Sequence, residues 1–129
     1  MNAPAILDTS VFVALEQGRP LSRSLPEQVG VSVITLAELE LGVLMAKDFD
    51  TRATRLATLT RVREQAAGLP ADDRVASAYA RLAAAELQAS RKPRVHDTWI
   101  AATAFVHGGE VWTQDKDFTS FSAVRIVRL

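Results

Sequence analysis

The chain has 129 residues, the size of one ordinary domain, with 48% hydrophobic and 23% charged residues, a composition that excludes intrinsic disorder and supports a core without staples. The absence of cysteine excludes disulfides, zinc–thiolate sites and thiol catalysis together. The 15 basic and 15 acidic residues cancel, so a nucleic acid would have to be met by a local patch and not by a global field. Residues 47–94 carry ten basic and six acidic residues, which is where such a patch is expected. The start of the chain shows no basic n-region, and no apolar run approaches the ~18 residues of a membrane span; the expectation is a soluble, cytoplasmic protein.

In chain order, Ala5-Ile6-Leu7 is a short apolar run halted at Asp8-Thr9-Ser10, and residues 11–15 resume at helical spacing. This predicts strand, turn and helix. Gly18, Pro20 and Pro26 mark a loop. Val29-Gly30-Val31-Ser32-Val33 is β-branched and predicts a second strand, with Thr35 opening a helix to about residue 45. Two helices are expected over residues 50–90, broken near Gly68-Leu69-Pro70, with Asp72-Asp73 as the acidic start of the second. A further helix is expected over residues 96–107, stopped by Gly108-Gly109. Val111-Trp112-Thr113 and residues 123–127 read as strands. Strands alternating with helices predict an α/β fold: a single domain over residues 1–129, built on a central parallel sheet with helices on both faces.

On that scaffold four acids fall on one rim. In a right-handed βαβ unit the C-terminal end of a strand and the start of the next helix share an edge of the sheet, where ligands of open α/β sheets bind. Asp8 follows the first strand, Glu38 and Asp97 lie in first turns of helices, and Asp115 stands just beyond the Val111-Trp112-Thr113 strand, with Asp117 close behind. Each position also has an ordinary structural explanation. Asp8 suits an N-cap, Thr35-x-x-Glu38 suits a capping box, Asp97 suits the helix dipole, and Asp115 and Asp117 suit a turn. Helical phase argues against that explanation for two of them. At ~100° per residue, Glu38 falls among Ile34, Ala37, Leu41, Leu44 and Met45, a stripe expected to face the core. Asp97 falls among Ile100, Ala101 and Ala104. Inward carboxylates are costly without a partner.

Clustered carboxylates need counterions. Two sources exist: basic side chains reaching in, chiefly Lys116 and Arg91, Lys92 and Arg94, or divalent cations. Oxygen-only donors suit Mg²⁺ or Mn²⁺ rather than zinc, with His96 and His107 as less favoured nitrogen ligands. Such an ion can activate water in line with a phosphodiester. Ser10 and Thr9 lack a histidine to activate them and are expected to hydrogen-bond Asp8 or a metal-bound water. No Gly-rich phosphate loop is present.

Leu7-Asp8-Thr9-Ser10, Leu36-Ala37-Glu38-Leu39, Asp97-Thr98-Trp99-Ile100-Ala101-Ala102-Thr103-Ala104 and Thr113-Gln114-Asp115-Lys116-Asp117-Phe118 occur in that order. They resemble the four signature blocks of PIN-domain nucleases, and most closely those of the VapC toxins of bacterial toxin–antitoxin pairs. The resemblance spans essentially the whole chain. It implies a Mg²⁺- or Mn²⁺-dependent endoribonuclease and a cognate VapB-type antitoxin whose C-terminal segment covers the acidic site. It also implies a homodimer. Asp8, Glu38 and Asp97 fall on the family's metal-site acids; Asp115 falls where the family often carries Asn or another polar residue, and Asp117 matches the acid of its Asp-Phe pair. Strand geometry favours Asp115 over Asp117 as the fourth ligand. For the homodimer, Leu36, Leu39 and Val43 form a second apolar stripe on the helix of Glu38, to be covered by another copy or by the helices of residues 50–90. A PIN-like binding module without turnover is the alternative of another class, disfavoured because all four acid positions are filled. An aspartate-based phosphatase would want an acid where Ser10 stands, and a receiver domain would want its phosphoacceptor Asp on a middle strand and a late lysine, for which Lys116 is a poor candidate.

Overall fold

The computed structural model describes residues 4–129. Five strands form one all-parallel sheet: β1 (Ala5–Leu7), β2 (Val29–Ser32), β3 (Ala67–Leu69), β4 (Glu110–Thr113) and β5 (Ile126–Arg128), in the order β3-β2-β1-β4-β5. Five helices connect them: α1 (Thr9–Glu16), α2 (Val33–Leu44), α3 (Phe49–Gln65), α4 (Asp73–Gln88) and α5 (Val95–Val106). The chain leaves β1 toward β2 and β3, then returns to the other side of β1 for β4. The carboxyl ends of β1 and β4 therefore flank the point where strand order reverses, the crevice in which open α/β sheets bind ligands.

Side-chain alternation divides the core into two layers. Ile6 and Val111 point to the face covered by α4 and α5, where Val75, Leu82, Ile100, Ala101, Ala104, Phe118 and Phe121 pack. Ala5, Leu7, Val31 and Trp112 point to the other, with Val11, Phe12 and Val62. The small residues of α5 do what their size permits: Ala101, Ala102 and Ala104 are wholly buried, so the helix lies close to the sheet and carries Asp97 inward. Gly108, at φ +65°, ends α5 in the left-handed conformation that glycine adopts freely. Gly109 then enters β4 so close to Pro4 that an added Cβ would run into the Pro4 carbonyl. Gly109→Ala is accordingly expected to lower stability by about 1–3 kcal/mol through overpacking, read as a lower urea midpoint at unchanged m-value.

Three expectations are corrected. The break at Gly68-Leu69-Pro70 contains a strand, β3, which pairs with β2 through Gly30↔Ala67, Val31↔Gly68 and Ser32↔Leu69. The last strand begins at Ile126, three residues later than expected, although Val124 is still buried in the core. The faces of α2 are the reverse of those predicted. Leu36 and Leu39 pack on the core and Val43 is buried, so they are not a free stripe for a second copy. Leu41, Leu44 and Met45 are exposed, as is Phe49 at the start of α3, at 84%.

Candidate active site

The site grows from the carboxyl ends of β1 and β4. Asp8 takes the N-cap position of α1 by its backbone, yet its side chain makes no capping bond. Instead its Oδ2 accepts from Ser10 Oγ at 2.7 Å and from Thr113 Oγ1 at 2.8 Å. Thr113 is wholly buried and its Oγ1 also accepts the Asp115 amide at 3.0 Å, while Ser10 Oγ accepts the Gln114 amide at 2.9 Å. Two hydroxyls thus bind the ends of β1 and β4 together around one carboxylate. Burial pushes the Asp8 carboxyl above its ordinary range, the bonds from Ser10 and Thr113 oppose this, and the nearby Asp97 charge adds to it.

Glu38 is not half of a capping box. α2 opens at Val33, and Ser32 caps it by accepting the Ile34 amide, which leaves Thr35 buried within the helix. Glu38 points along the rim instead: Oε1 accepts from Thr9 Oγ1 at 2.8 Å, and Oε2 lies 3.3 Å from His96 Nδ1. Thr9 thus holds Glu38 rather than Asp8, and His96 stands beside the site from the first turn of α5. His107 caps the far end of α5, away from the cleft.

Asp97 is buried, and its Oδ2 accepts three bonds: from Arg94 Nε at 2.8 Å, the Thr119 amide at 2.9 Å and Thr119 Oγ1 at 3.0 Å. Asp115 accepts Arg94 Nη2 at Oδ2 and the Asp117 amide at Oδ1, and the Arg94 guanidinium holds its carboxyl below the usual range. Asp117 does not line the cleft. It contributes its amide to the turn that presents Asp115.

Asp8, Glu38, Asp97 and Asp115 therefore line one cleft of about 430 Å³, with Thr9, Ser10, Arg94, His96 and Ile100. Two contributors, Thr113 and Thr119, escape sequence reasoning as site residues, and a third, Arg94, is expected from the sequence only as one of four basic residues that could reach the acids. Arg94 stands one helical turn before Asp97, a spacing that is available as a signal. Thr113 reads only as strand, and Thr119 carries no sequence signal at all. The donors are hard carboxylate oxygens in a partly buried cleft, which fits Mg²⁺ or Mn²⁺. As the side chains stand, no three acidic or histidine groups among the described residues are grouped around one ion position. Both oxygens of Glu38 and Asp115, and one oxygen each of Asp8 and Asp97, are engaged by neighbouring side chains or amides.

An all-parallel sheet with acids gathered at the β1/β4 switch point is the arrangement that the signature blocks lead one to expect. The PIN domain model matches residues 5–124, and the chain belongs to the PIN-domain family. It is 45% identical to Ribonuclease VapC5 of Mycobacterium tuberculosis over 98% of this chain and 96% of that protein. It is 37% identical to Ribonuclease VapC4 of the same organism over 97% and 96%. Among solved structures it resembles VapBC-5, a member of the VapBC family of toxin–antitoxin systems from M. tuberculosis. That match has a TM-score of 0.86 at 42% identity and covers 99% of this chain and 100% of that one. FitAcB from Neisseria gonorrhoeae matches with a TM-score of 0.72 at 27% identity over 95% and 96%.

Proposed function

We propose that this chain is a divalent-metal-dependent endoribonuclease acting as the toxin of a toxin–antitoxin pair, with Asp8, Glu38, Asp97 and Asp115 as its metal-site acids. The observation that carries this reading is the convergence of those four carboxylates, drawn from four separate elements, on one cleft at the switch point of the sheet. The names of the ribonuclease relatives support the activity and the substrate class.

A bound Mg²⁺ or Mn²⁺ supplies an activated water and neutralises charge developing on the phosphate. The chain's own residues do the rest. Ser10 and Thr113 fix Asp8, Thr9 and His96 hold Glu38 at the rim, and Thr119 keeps Asp97 facing the cleft. Asp117 belongs to the support of Asp115 rather than to the ligand set.

Solved relatives described as VapBC toxin–antitoxin systems support a VapB-type antitoxin as partner. The exposed apolar run of Leu41, Leu44, Met45 and Phe49 is a surface of the chemistry such a partner needs. Leu36, Leu39 and Val43 pack within the chain, which removes the support that the apolar stripe of α2 gave to a homodimer. No helix among the described residues is long and apolar enough to cross a membrane. A cytoplasmic site of action follows from the proposed substrate, since that is where RNA is met.

The decisive experiment is cleavage of a mixed RNA pool by purified, antitoxin-free protein in Mn²⁺ or Mg²⁺. Discrete products that vanish in EDTA are expected; metal-independent cleavage, or none from folded protein, would overturn the reading. Metal should also raise the melting temperature, by the equivalent of about 2.7 kcal/mol when present at a hundred times its dissociation constant.

A further inference from the structure

The carboxylates of the cleft already have a counterion, and it is part of the chain. Arg94 sets one guanidinium against two of the four acids, Nε on Asp97 and Nη2 on Asp115, at 2.8 and 2.5 Å. Lys116, the cation next to Asp115 in the chain, is exposed and makes no ion pair among the described residues.

The two ends of Arg94 are held differently. Its backbone is fixed: the amide donates to Thr119 Oγ1 at 3.3 Å, and the carbonyl accepts from the Thr98 amide at 3.0 Å and from Thr98 Oγ1 at 2.7 Å. Its side chain is half exposed, lines the cleft and is held only through the two carboxylates. The head can therefore leave without disturbing α5. Arg94 crowds the acids on its side of the cleft: Asp97 Oδ2 already receives three donors, and both Asp115 oxygens are taken, one of them by Arg94. Of the four oxygens only Asp97 Oδ1 accepts no bond from the described residues. A cation entering among these acids would face both a competitor for their lone pairs and a like charge.

We infer that Arg94 is a displaceable internal counterion: it neutralises Asp97 and Asp115 until a divalent ion enters, then yields them and turns its fork to a phosphate of the bound RNA. The inference rests on the metal-nuclease reading above. A guanidinium fork matches phosphate as well as it matches carboxylate. Because the ion frees the group that grips the phosphate, metal and RNA each strengthen the binding of the other.

The test is calorimetric titration of Mn²⁺ into the full chain and into Arg94→Gln, with no substrate present. Arg94→Gln is expected to bind Mn²⁺ on the order of tenfold more tightly, within the usual range of coupling between sites. It is also expected to melt lower than the parent in EDTA and to recover in saturating Mn²⁺; a merely structural arginine would leave a deficit that metal does not repair. Should the glutamine variant fail to fold, Arg94→Lys, which keeps the charge but not the fork, is expected to show a smaller gain in Mn²⁺ affinity. A second arm measures anisotropy of a labelled single-stranded RNA with Ca²⁺ in place of the catalytic ion. The parent should bind more tightly in Ca²⁺ than in EDTA, and Arg94→Gln should lose that gain. Equal or weaker Mn²⁺ binding by the variants would overturn the displacement, and an undiminished Ca²⁺ gain would overturn the phosphate contact. A parent chain that binds no Mn²⁺ would overturn the metal reading, and this inference with it.

Discussion

Asp8→Asn is expected to slow RNA cleavage on the order of 10²–10³-fold, the usual effect of removing one preorganised electrostatic contact from an active site, while leaving the protein at least as stable as the parent at neutral pH. The second half follows from the environment of the carboxyl. Burial raises its folded pKa above the unfolded value, so the native state binds this proton more tightly than the unfolded chain. Stability contributed by protonation is then present below the unfolded pKa and lost as pH rises through the folded one. At pH 7 the ionised Asp8 is a cost, and asparagine removes it while still presenting an oxygen to Ser10 and Thr113. Melting curves in EDTA should show the advantage of the variant shrinking as pH falls toward 4. Asp115 works in the opposite sense: Arg94 depresses its pKa, so its contribution holds at neutral pH and fades as pH falls through that lowered value. A variant that cleaves normally would remove Asp8 from the site.

Asp97→Ala should cost both activity and stability. One oxygen of Asp97 collects the Arg94 guanidinium and both the amide and the hydroxyl of Thr119, and alanine strands all three donors. Leaving a part-buried donor unsatisfied costs roughly 1–3 kcal/mol; Arg94 is half exposed and regains water, so the loss should fall within that range instead of multiplying. Denaturant titration at fixed pH measures it, and cleavage assays on the same preparation should show no product. The contrast is the informative part: one acid whose removal spares the fold, another whose removal does not. Equal stability in Asp97→Ala would mean that the loop around Thr119 is held by other contacts.

Most of the architecture is legible in the sequence because each element carries its own punctuation. Asp72 does cap α4, accepting the Val75 amide, and Gly108 does end α5 in the left-handed region. The acids are legible through topology, since a residue just after a parallel strand or in the next helical turn has little choice of edge. What fails is whatever depends on a neighbour. β3 is Ala-Gly-Leu, with no β-branched residue, and only the free edge of β2 makes it a strand. α2 is apolar on two sides, so periodicity yields two stripes and no means of telling which meets the sheet. Glu38 does reach the cleft, but not for the reason helical phase suggests: it stands on the rim beside Thr9 and His96, not in a core-facing row. Arg94 is legible only as one of four basic residues that could neutralise the acids, and what singles it out is Asp115, 21 positions away, brought to meet it by the fold.

The bond from Thr113 to Asp8 spans 105 positions of the chain, and this bears on how such a protein is made. Asp8 and Glu38 emerge early, but Asp97 and Asp115 follow only after the three-stranded side of the sheet has been synthesised, and β4 must still slot in beside β1. Until β4 has been made, the growing polypeptide carries only part of a cleft. The cleft is therefore completed by one long-range event, the pairing of β4 with β1, which brings Thr113 to Asp8 and sets Asp115 beside it.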